Sequence, residues 1–352
     1  IPRDYLARVL RGLRRSGAAV VGLDIAFTAP TAAAEDGALV RAVADFGEGG
    51  ARRVVLTAVM PSSGPLAEPA FGDLVAHGDP RVAQDSDGVV RQAALLLPKD
   101  GSGHVPAFAL VIAARLQGTE PDRLVAALGG ARPGELTRIN YVGPAKTFLT
   151  IPSDVVVTLG DGADPATENP LRGRVVLVGA TFQESRDFFQ TPHGLMPGVE
   201  VHASIVHMIL TESFIRPSGW ALSLALQIAL VLVAGTIMVT VRSAARGYTV
   251  FGATVALAFP ASYLAFERGG YWVDFVLPVV ATQLLGTVAA KLDARRFREA
   301  FGRYVSSDVA AQVLAQAPSL EGERREVSVL FSDLRGFTTI SETMAPDKVA
   351  AH

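Results

Sequence analysis

The segment AAVVGLDIAF (residues 18–27) has the composition of a strand that is buried on both faces, because β-branched and other apolar residues follow one another almost without a break. Four similar runs recur at residues 52–60, 88–98, 138–143 and 174–180. Between the runs, residues 34–47, 106–118 and 198–213 have helical periodicity. This alternation predicts an α/β domain over residues 1–217, with a mixed, partly parallel sheet flanked by helices on both faces.

The composition excludes several classes of protein. The chain has 352 residues, of which 49% are hydrophobic, and a formal net charge of −2. A surface that coats nucleic acid needs clustered Lys and Arg, so no nucleic-acid partner is expected. The absence of cysteine excludes disulfides and thiolate metal sites.

Three apolar runs follow the first domain, at residues 220–241, 248–266 and 271–290. A helix needs roughly 20 apolar residues to cross a bilayer, so we expect three transmembrane helices within residues 218–290. The third run contains one carboxylate, Asp274.

Basic residues in the connecting segments predict the orientation. Lys and Arg are concentrated at residues 242–246 and 291–298, whereas residues 267–270 have no positive excess. The positive-inside rule therefore predicts a multi-pass protein of the plasma (inner) membrane. Residues 1–217 would be extracytoplasmic and residues 291–352 cytoplasmic, and we also expect an upstream span or export signal before Ile1.

Residues 291–322 are predicted to form cytoplasmic coupling helices. Apolar residues recur at helical spacing after the third run, and Ser306, Ser307 and Asp308 are N-cap candidates for a second short helix over residues 309–316.

The segment EVSVLFSDLRGFTTISE (residues 326–342) carries the clearest chemistry. Its apolar part predicts a strand that ends at Asp333 and turns through Gly336. A carboxylate beside a turn with free backbone amides can hold a divalent cation against phosphate oxygens. On spacing alone, an ordinary strand-end turn is an open alternative.

The stretch GERREVSVLFSDLRGFTTISE (residues 322–342) resembles the start of a class III nucleotide cyclase catalytic domain, and FGRYVSSDVAAQVL (residues 301–314) resembles the coupling region before it. The resemblance implies that residues 323–352 contain the first strand and helix of an α+β catalytic domain. It further implies that Asp333 and the backbone carbonyl of Leu334 bind metal, and that Gly336, Phe337 and Thr338 lie against the triphosphate. The cofactors would be two Mg or Mn ions.

A second resemblance covers residues 1–217. The stretches GLDIAFTAP, DSDGVVRQAALL, INYVGP and LRGRVVLVGATFQESRDFFQTPHGLMPGVEVHASIVHMIL are similar to type-two CHASE domains, which are extracytoplasmic sensors.

Together the two resemblances imply a membrane receptor-type adenylate or guanylate cyclase, a phosphorus–oxygen lyase that converts ATP or GTP to the 3′,5′-cyclic monophosphate and pyrophosphate. The expected partners are the nucleotide, the lipid bilayer, a second copy of the chain and an extracytoplasmic stimulus. Residues 323–352 alone lack a complete active site, so we expect no turnover from them. The alternatives are a non-catalytic sensor or scaffold with a degenerate cyclase-like output, and a sensor that serves another output.

Other motifs fit known sites poorly. DSDGVV (residues 85–90) lacks calcium ligands at the required positions and predicts a tight turn, and GPAKT (residues 143–147) fails the phosphate-loop pattern. The spacing of His193, His202 and His207 argues against a shared metal. Asp24, Asp187 and His202 either line a ligand pocket or cap elements and hold turns.

Overall fold

Four parallel strands form the main sheet: β1 (Val20–Leu23), β2 (Val54–Thr57), β3 (Ala76–Gly78) and β8 (Val175–Val178), in the order β3-β2-β1-β8. Val21 aligns with Val54 on one side and with Val176 on the other. The computed structural model describes residues 1–27, 31–47, 52–57, 71–99, 103–161, 169–217, 219–240, 244–273, 276–301, 326, 328–333 and 335–349. The chain divides into two compact units, Ile1–Gln283 and Leu284–His352.

The other elements have the following bounds. The described helices are α1 (Arg3–Arg15), α2 (Ala33–Phe46), α3 (Phe108–Leu116), α4 (Pro121–Ala127), α5 (Ser153–Gly160), α6 (Gly198–Leu210), α7 (Trp220–Thr240), α8 (Ala244–Gly269), α9 (Val276–Phe301), α10 (Phe337–Thr343) and α11 (Pro346–Val349). The described strands outside the main sheet are β4 (Gln92–Ala94), β5 (Leu96–Pro98), β6 (His104–Pro106), β7 (Leu136–Arg138), β9 (Phe188–Thr191), β10 (Gly194–Pro197), β11 (Arg216–Pro217) and β12 (Tyr271–Trp272). The pairs β4–β7, β5–β6 and β9–β10 are antiparallel.

Alternate residues of β1 enter two different hydrophobic cores. Val21 and Leu23 pack with α1, α2 and α5, whereas Val20 packs with α3 and α6. Successive side chains of a strand point to opposite faces, so a wholly apolar strand must be covered on both. The predicted α/β class of this domain, with a partly parallel sheet between helices, is therefore confirmed.

Most of the predicted elements of this domain form. The runs at 18–27, 52–60 and 174–180 contain β1, β2 and β8, and 88–98 contains β4 and β5. The strand predicted at residues 138–143 is wrong beyond Arg138, because β7 ends at that residue. There the side-chain amide of Asn140 donates to the carbonyl oxygen of Ser213 (2.9 Å) and the hydroxyl of Tyr141 to that of Val90 (2.9 Å), so side chains rather than a ladder hold the segment.

Helix α1 was not among the predicted elements, and it packs closely against α5. Its apolar residues recur at helical spacing, with Asp4 in the first turn and arginines in the last turn, where they complement the helix dipole. A methyl group on Gly12 would overlap the carbonyl oxygen of Val156, and one on Gly160 would overlap that of Arg8. The guanidinium of Arg8 binds the carboxylate of Asp161 beside this crossing.

The three predicted transmembrane spans are wrong. Within the described ranges, no helix is long and apolar enough to cross a membrane. The apolar runs do form helices, and the second and third helices continue into charged residues. Helix α8 includes Glu267 and Arg268, and α9 runs past Lys291 to Phe301.

The third predicted span begins with a strand. Residues Tyr271–Trp272 pair in parallel with Arg216–Pro217, and the amide of Arg216 donates to the carbonyl oxygen of Gly270 (2.8 Å). This pairing joins the segment after α6 to the segment after α8. Asp274 lies outside the described residues.

The second unit departs from its predicted strand. Residues 328–333 have no strand pairing, and Leu330 and Phe331 are 90% and 92% exposed. A strand forms only when a neighbour satisfies its backbone groups, and the part of the chain that the structure describes offers none here. The expected helix does form, as α10. The predicted short helix at 309–316 lies outside the described residues.

The crossing of α1 and α5 yields a stability prediction. Replacing Gly12 by Ala forces a methyl group into the backbone of α5, so we expect Gly12→Ala to lower the free energy of unfolding by about 2 kcal/mol. The matched control is Gly37→Ala in α2, where the nearest atom to a new methyl group is Arg41 Nη1 at 3.5 Å. That change should raise the stability by about 0.5 to 1 kcal/mol because Ala favours the helix. Chemical denaturation checks both values, and equal effects would contradict the close crossing.

Candidate functional site

Carboxylates gather at one edge of the main sheet. Asp24 directly follows β1 and Asp79 directly follows β3, and the amide of Asp24 donates to the carbonyl oxygen of Val178 at the end of β8 (2.8 Å). The carboxyl ends of parallel strands share an edge, and open α/β sheets bind ligands there.

Asp24 and Asp187 form a carboxylate pair beside the start of α6. Burial raises the pKa of Asp24 to about 6, and the negative charge of Asp187 adds to this shift. Burial also raises the pKa of Asp187. A Cβ atom on Gly198, the first residue of α6, would lie 2.5 Å from Asp187 Oδ2, so this carboxylate lies against the helix. In the described structure no basic side chain contributes to either shift.

His202 lies on α6, four residues after Gly198, and is buried in the core. Its ring contacts the ring of Phe108 edge to face, with centroids 5.3 Å apart, and only 5% of the residue is exposed. Burial lowers the pKa of His202 to about 4, although the charge of Asp79 acts in the opposite direction. His202 is therefore neutral at pH 7. Of the three predicted pocket residues, the structure brings together Asp24 and Asp187.

Asp79 was not singled out from the sequence. Its side chain is buried, and its carboxylate accepts hydrogen bonds from the backbone amide of Arg81 (2.9 Å) and from the guanidinium of Arg81 (2.6 to 3.0 Å). The signal that could have found it is an aspartate directly after a strand, at the sheet edge where ligands bind.

The remaining histidines make separate aromatic contacts. His193 contacts Tyr141, with centroids 6.0 Å apart, and His207 contacts Phe148, with centroids 6.5 Å apart. Among the residues that the structure describes, no group of three or more His, Asp or Glu could hold a metal ion.

The two rejected motifs serve as turns. In DSDGVV the amide of Gly88 donates to the carbonyl oxygen of Asp85 (2.9 Å), which confirms the tight turn. Arg91 binds both Asp85 and Asp87, and this hydrogen bonding lowers the pKa of Asp87 to about 2. In GPAKT the amide of Lys146 donates to Oε2 of Glu200 (2.7 Å), a buried carboxylate in the first turn of α6.

The predicted metal and phosphate residues lie in the second unit. Asp333 is exposed, and Leu334 is outside the described residues. Gly336 adopts a left-handed conformation with φ of 74° and precedes α10, whose first residues are Phe337 and Thr338. The left-handed conformation favours glycine, so the chain turns at Gly336 as the motif predicts. The roles of these residues remain predictions.

The carboxylate pair lies at the carboxyl edge of the parallel sheet, which is the edge at which open α/β sheets bind ligands. The family model of the CHASE2 domain matches residues 1–241. The match covers more than half of the chain, which therefore belongs to the CHASE2 domain family. This match confirms the predicted resemblance and continues past residue 217. CHASE2 is an extracytoplasmic sensor domain.

Comparison with curated proteins and with solved structures gave no significant match. The cyclase resemblance of residues 323–352 stays a prediction.

The pKa of Asp24 makes stability depend on pH. The folded value of about 6 lies above the ordinary 3.8, so the folded state binds the proton more tightly. The contribution of Asp24 to stability is fully present below about pH 4 and is lost as the pH rises through 6. Asparagine does not titrate, so we expect Asp24→Asn to be more stable than the parent at pH 7.5, on the order of 2 kcal/mol, and to match it at pH 4.

Asp36 provides the opposite case for the same measurement. Hydrogen bonds from Thr31 lower the pKa of Asp36, so Asp36→Asn should lose stability at pH 7.5. Thermal unfolding at the two pH values checks both variants. A pH-independent difference for Asp24→Asn would contradict the burial of a carboxylate pair.

Proposed function

We propose that this protein is a receptor-type nucleotide cyclase in which the CHASE2 sensor controls a class III catalytic domain that begins near residue 323. The observation that supports the proposal is the motif FSDLRGFT (residues 331–338), in which the exposed carboxylate of Asp333 stands three residues before the left-handed Gly336. The reaction would convert ATP or GTP to the 3′,5′-cyclic monophosphate with release of pyrophosphate.

The roles of the motif residues follow from its chemistry. Asp333 supplies hard oxygen ligands, and the carbonyl oxygen of Leu334 would add another, so the segment suits Mg or Mn. The turn at Gly336 would place backbone amides of Phe337 and Thr338 against phosphate oxygens. Two ions, when bound, supply activation of the ribose 3′-hydroxyl and neutralisation of the leaving pyrophosphate.

The proposal also includes its partners. The resemblance implies active sites between two catalytic domains, so a second copy of the chain is required. The lipid bilayer and an extracytoplasmic stimulus complete the set. A stimulus controls such an enzyme only through a difference in its affinity for two states of the sensor.

A continuous path leads from the sheet edge toward the helices that follow the sensor. Helix α6 begins against Asp187 and ends at Leu210. In the segment after α6, the carbonyl oxygen of Ser213 accepts a hydrogen bond from the side-chain amide of Asn140. That segment becomes β11, which pairs with β12 after α8. The chain after α6 is therefore hydrogen-bonded, through β11, to the residues that follow α8.

The metal role of Asp333 can be tested in the full-length protein. We expect Asp333→Ala to reduce cyclic nucleotide formation with Mg or Mn by more than about 100-fold, because a metal ligand is lost. The matched control is Glu342→Ala, which removes another exposed carboxylate of the same segment and should leave activity unchanged. Full activity of Asp333→Ala would refute the metal role, and no cyclic nucleotide from the parent protein would refute the cyclase.

A further inference from the structure

The two edges of the main sheet differ in what covers them. At the edge strand β3, the amide of Asp79 donates to the carbonyl oxygen of Pro106 (3.0 Å), and the amide of Phe108 donates to the carbonyl oxygen of Asp79 (2.8 Å). Beside this contact, β3 lines a cleft of about 390 Å³ with residues of α3 and α4, among them Arg115 and Asp122. The opposite edge strand, β8, pairs with β1 and with no other described strand.

The backbone of β8 has hydrogen-bonding groups that point away from the sheet. The amide of Asp24 donates to the carbonyl oxygen of Val178 (2.8 Å). Alternate residues of a parallel strand bond to the same neighbour, so Val176 and Val178 bond to β1. The peptide groups of Val175 and Leu177 therefore face the open edge, where no backbone group of the described residues binds them.

The side chains of β8 form an apolar run at this open edge. The strand contains no charged residue and no proline, and all four of its residues are half-buried, whereas those of β1 are fully buried. Val175 and Leu177 pack against one hydrophobic core, and Val176 and Val178 pack against the other. Both faces are therefore covered, and the remaining exposure lies at the edge. Proteins usually protect an open edge with charge, proline or a bulge, and this run has none of these.

We propose that two copies of this chain pair through β8, in antiparallel orientation about a two-fold axis at Val176. In this register Val175 lies opposite the partner's Leu177, and Leu177 lies opposite the partner's Val175. The free amide and carbonyl groups of both copies then bond reciprocally, which joins the two four-stranded sheets into one continuous sheet. Both copies use the same surface, as a two-fold interface requires.

The charges beside β8 are compatible with this pairing. Arg174 precedes the strand, and Gly179 follows it. The register places Arg174 opposite the partner's Val178, so no two like charges face each other across the strands. The paired strands are short and bury less surface than a standard-size interface, which is typical of a weak contact. The purpose of the pairing rests on the proposed function, because that output requires two copies of the chain.

The absence of cysteine from the chain permits a cross-linking test. Val176 would face the partner's Val176 as a non-hydrogen-bonded pair with Cα atoms about 4.5 Å apart, which suits a disulfide. We expect Val176→Cys, oxidised in air with copper phenanthroline, to form a disulfide-linked dimer at least about tenfold faster than Val155→Cys, because the paired strands hold the two thiols together. Val155 is the matched control, a valine on α5 that is 50% exposed. Equal rates for the two variants, with thermal unfolding showing that both are folded, overturn the proposal.

A second pair of variants tests the backbone bonds themselves. Proline is compatible with the first residue of a strand, and the amide of Val175 makes no bond to β1, so Val175→Pro removes two intermolecular hydrogen bonds from the dimer. We expect the parent chain to dimerise with a Kd below about 100 µM in sedimentation experiments, and Val175→Pro to have a Kd at least about tenfold higher than Val175→Ala. Val175→Ala is the control because it shortens the same side chain and keeps the amide. Equal Kd values for the two variants, or a parent chain that is monomeric at about 100 µM, overturn the interface.

The outcomes separate this interface from the cyclase. A cross-linked Val176→Cys dimer in a full-length protein that forms no cyclic nucleotide supports the interface and refutes only the proposed output. Cyclic nucleotide formation by a full-length Val176→Cys protein that does not cross-link overturns the interface and leaves the cyclase standing.

Discussion

Strand β1 is the constraint on which the first unit depends. It is bonded to a parallel strand on each edge and covered by helices on both faces. A Cβ atom on Gly22 would lie 2.6 Å from Cδ1 of Ile112, so α3 packs directly on the strand backbone. Asp24 directly follows this strand and therefore lies at the carboxyl edge of the sheet, as Asp79 does after β3.

The edge strand β3 borders both the carboxyl edge of the main sheet and a cleft beside α3 and α4. Asp79 follows its carboxyl end, and His77 within it lines the cleft beside α3 and α4. Strand β3 therefore borders both the carboxyl edge of the sheet and this cleft.

The predictable part of the structure was the part controlled by local pattern. Runs of β-branched residues located β1, β2 and β8 of the main sheet but not β3, whose sequence AHG carries no such run, and helical spacing located α2, α3 and α6. Helix α1 was missed, although its apolar residues have the same spacing, because arginines dominate its composition. The three spans were wrong. For the second and third, apolar composition did not show that the helices continue into charged residues or that Tyr271 and Trp272 pair with another strand.

The residues of the candidate site also divide into those that sequence pattern predicts and those that only the folded structure brings together. The sequence by itself determined the α/β class, the sensor family of residues 1–241 and the motif around Asp333, because periodicity and motif spacing are properties of the chain order. Only the tertiary structure decided that Asp24 meets Asp187, that His202 packs on Phe108 in the core, and that Arg115 and Asp122 share a cleft. Burial and the distances between groups far apart in the chain set these environments, and neither exists before the chain folds.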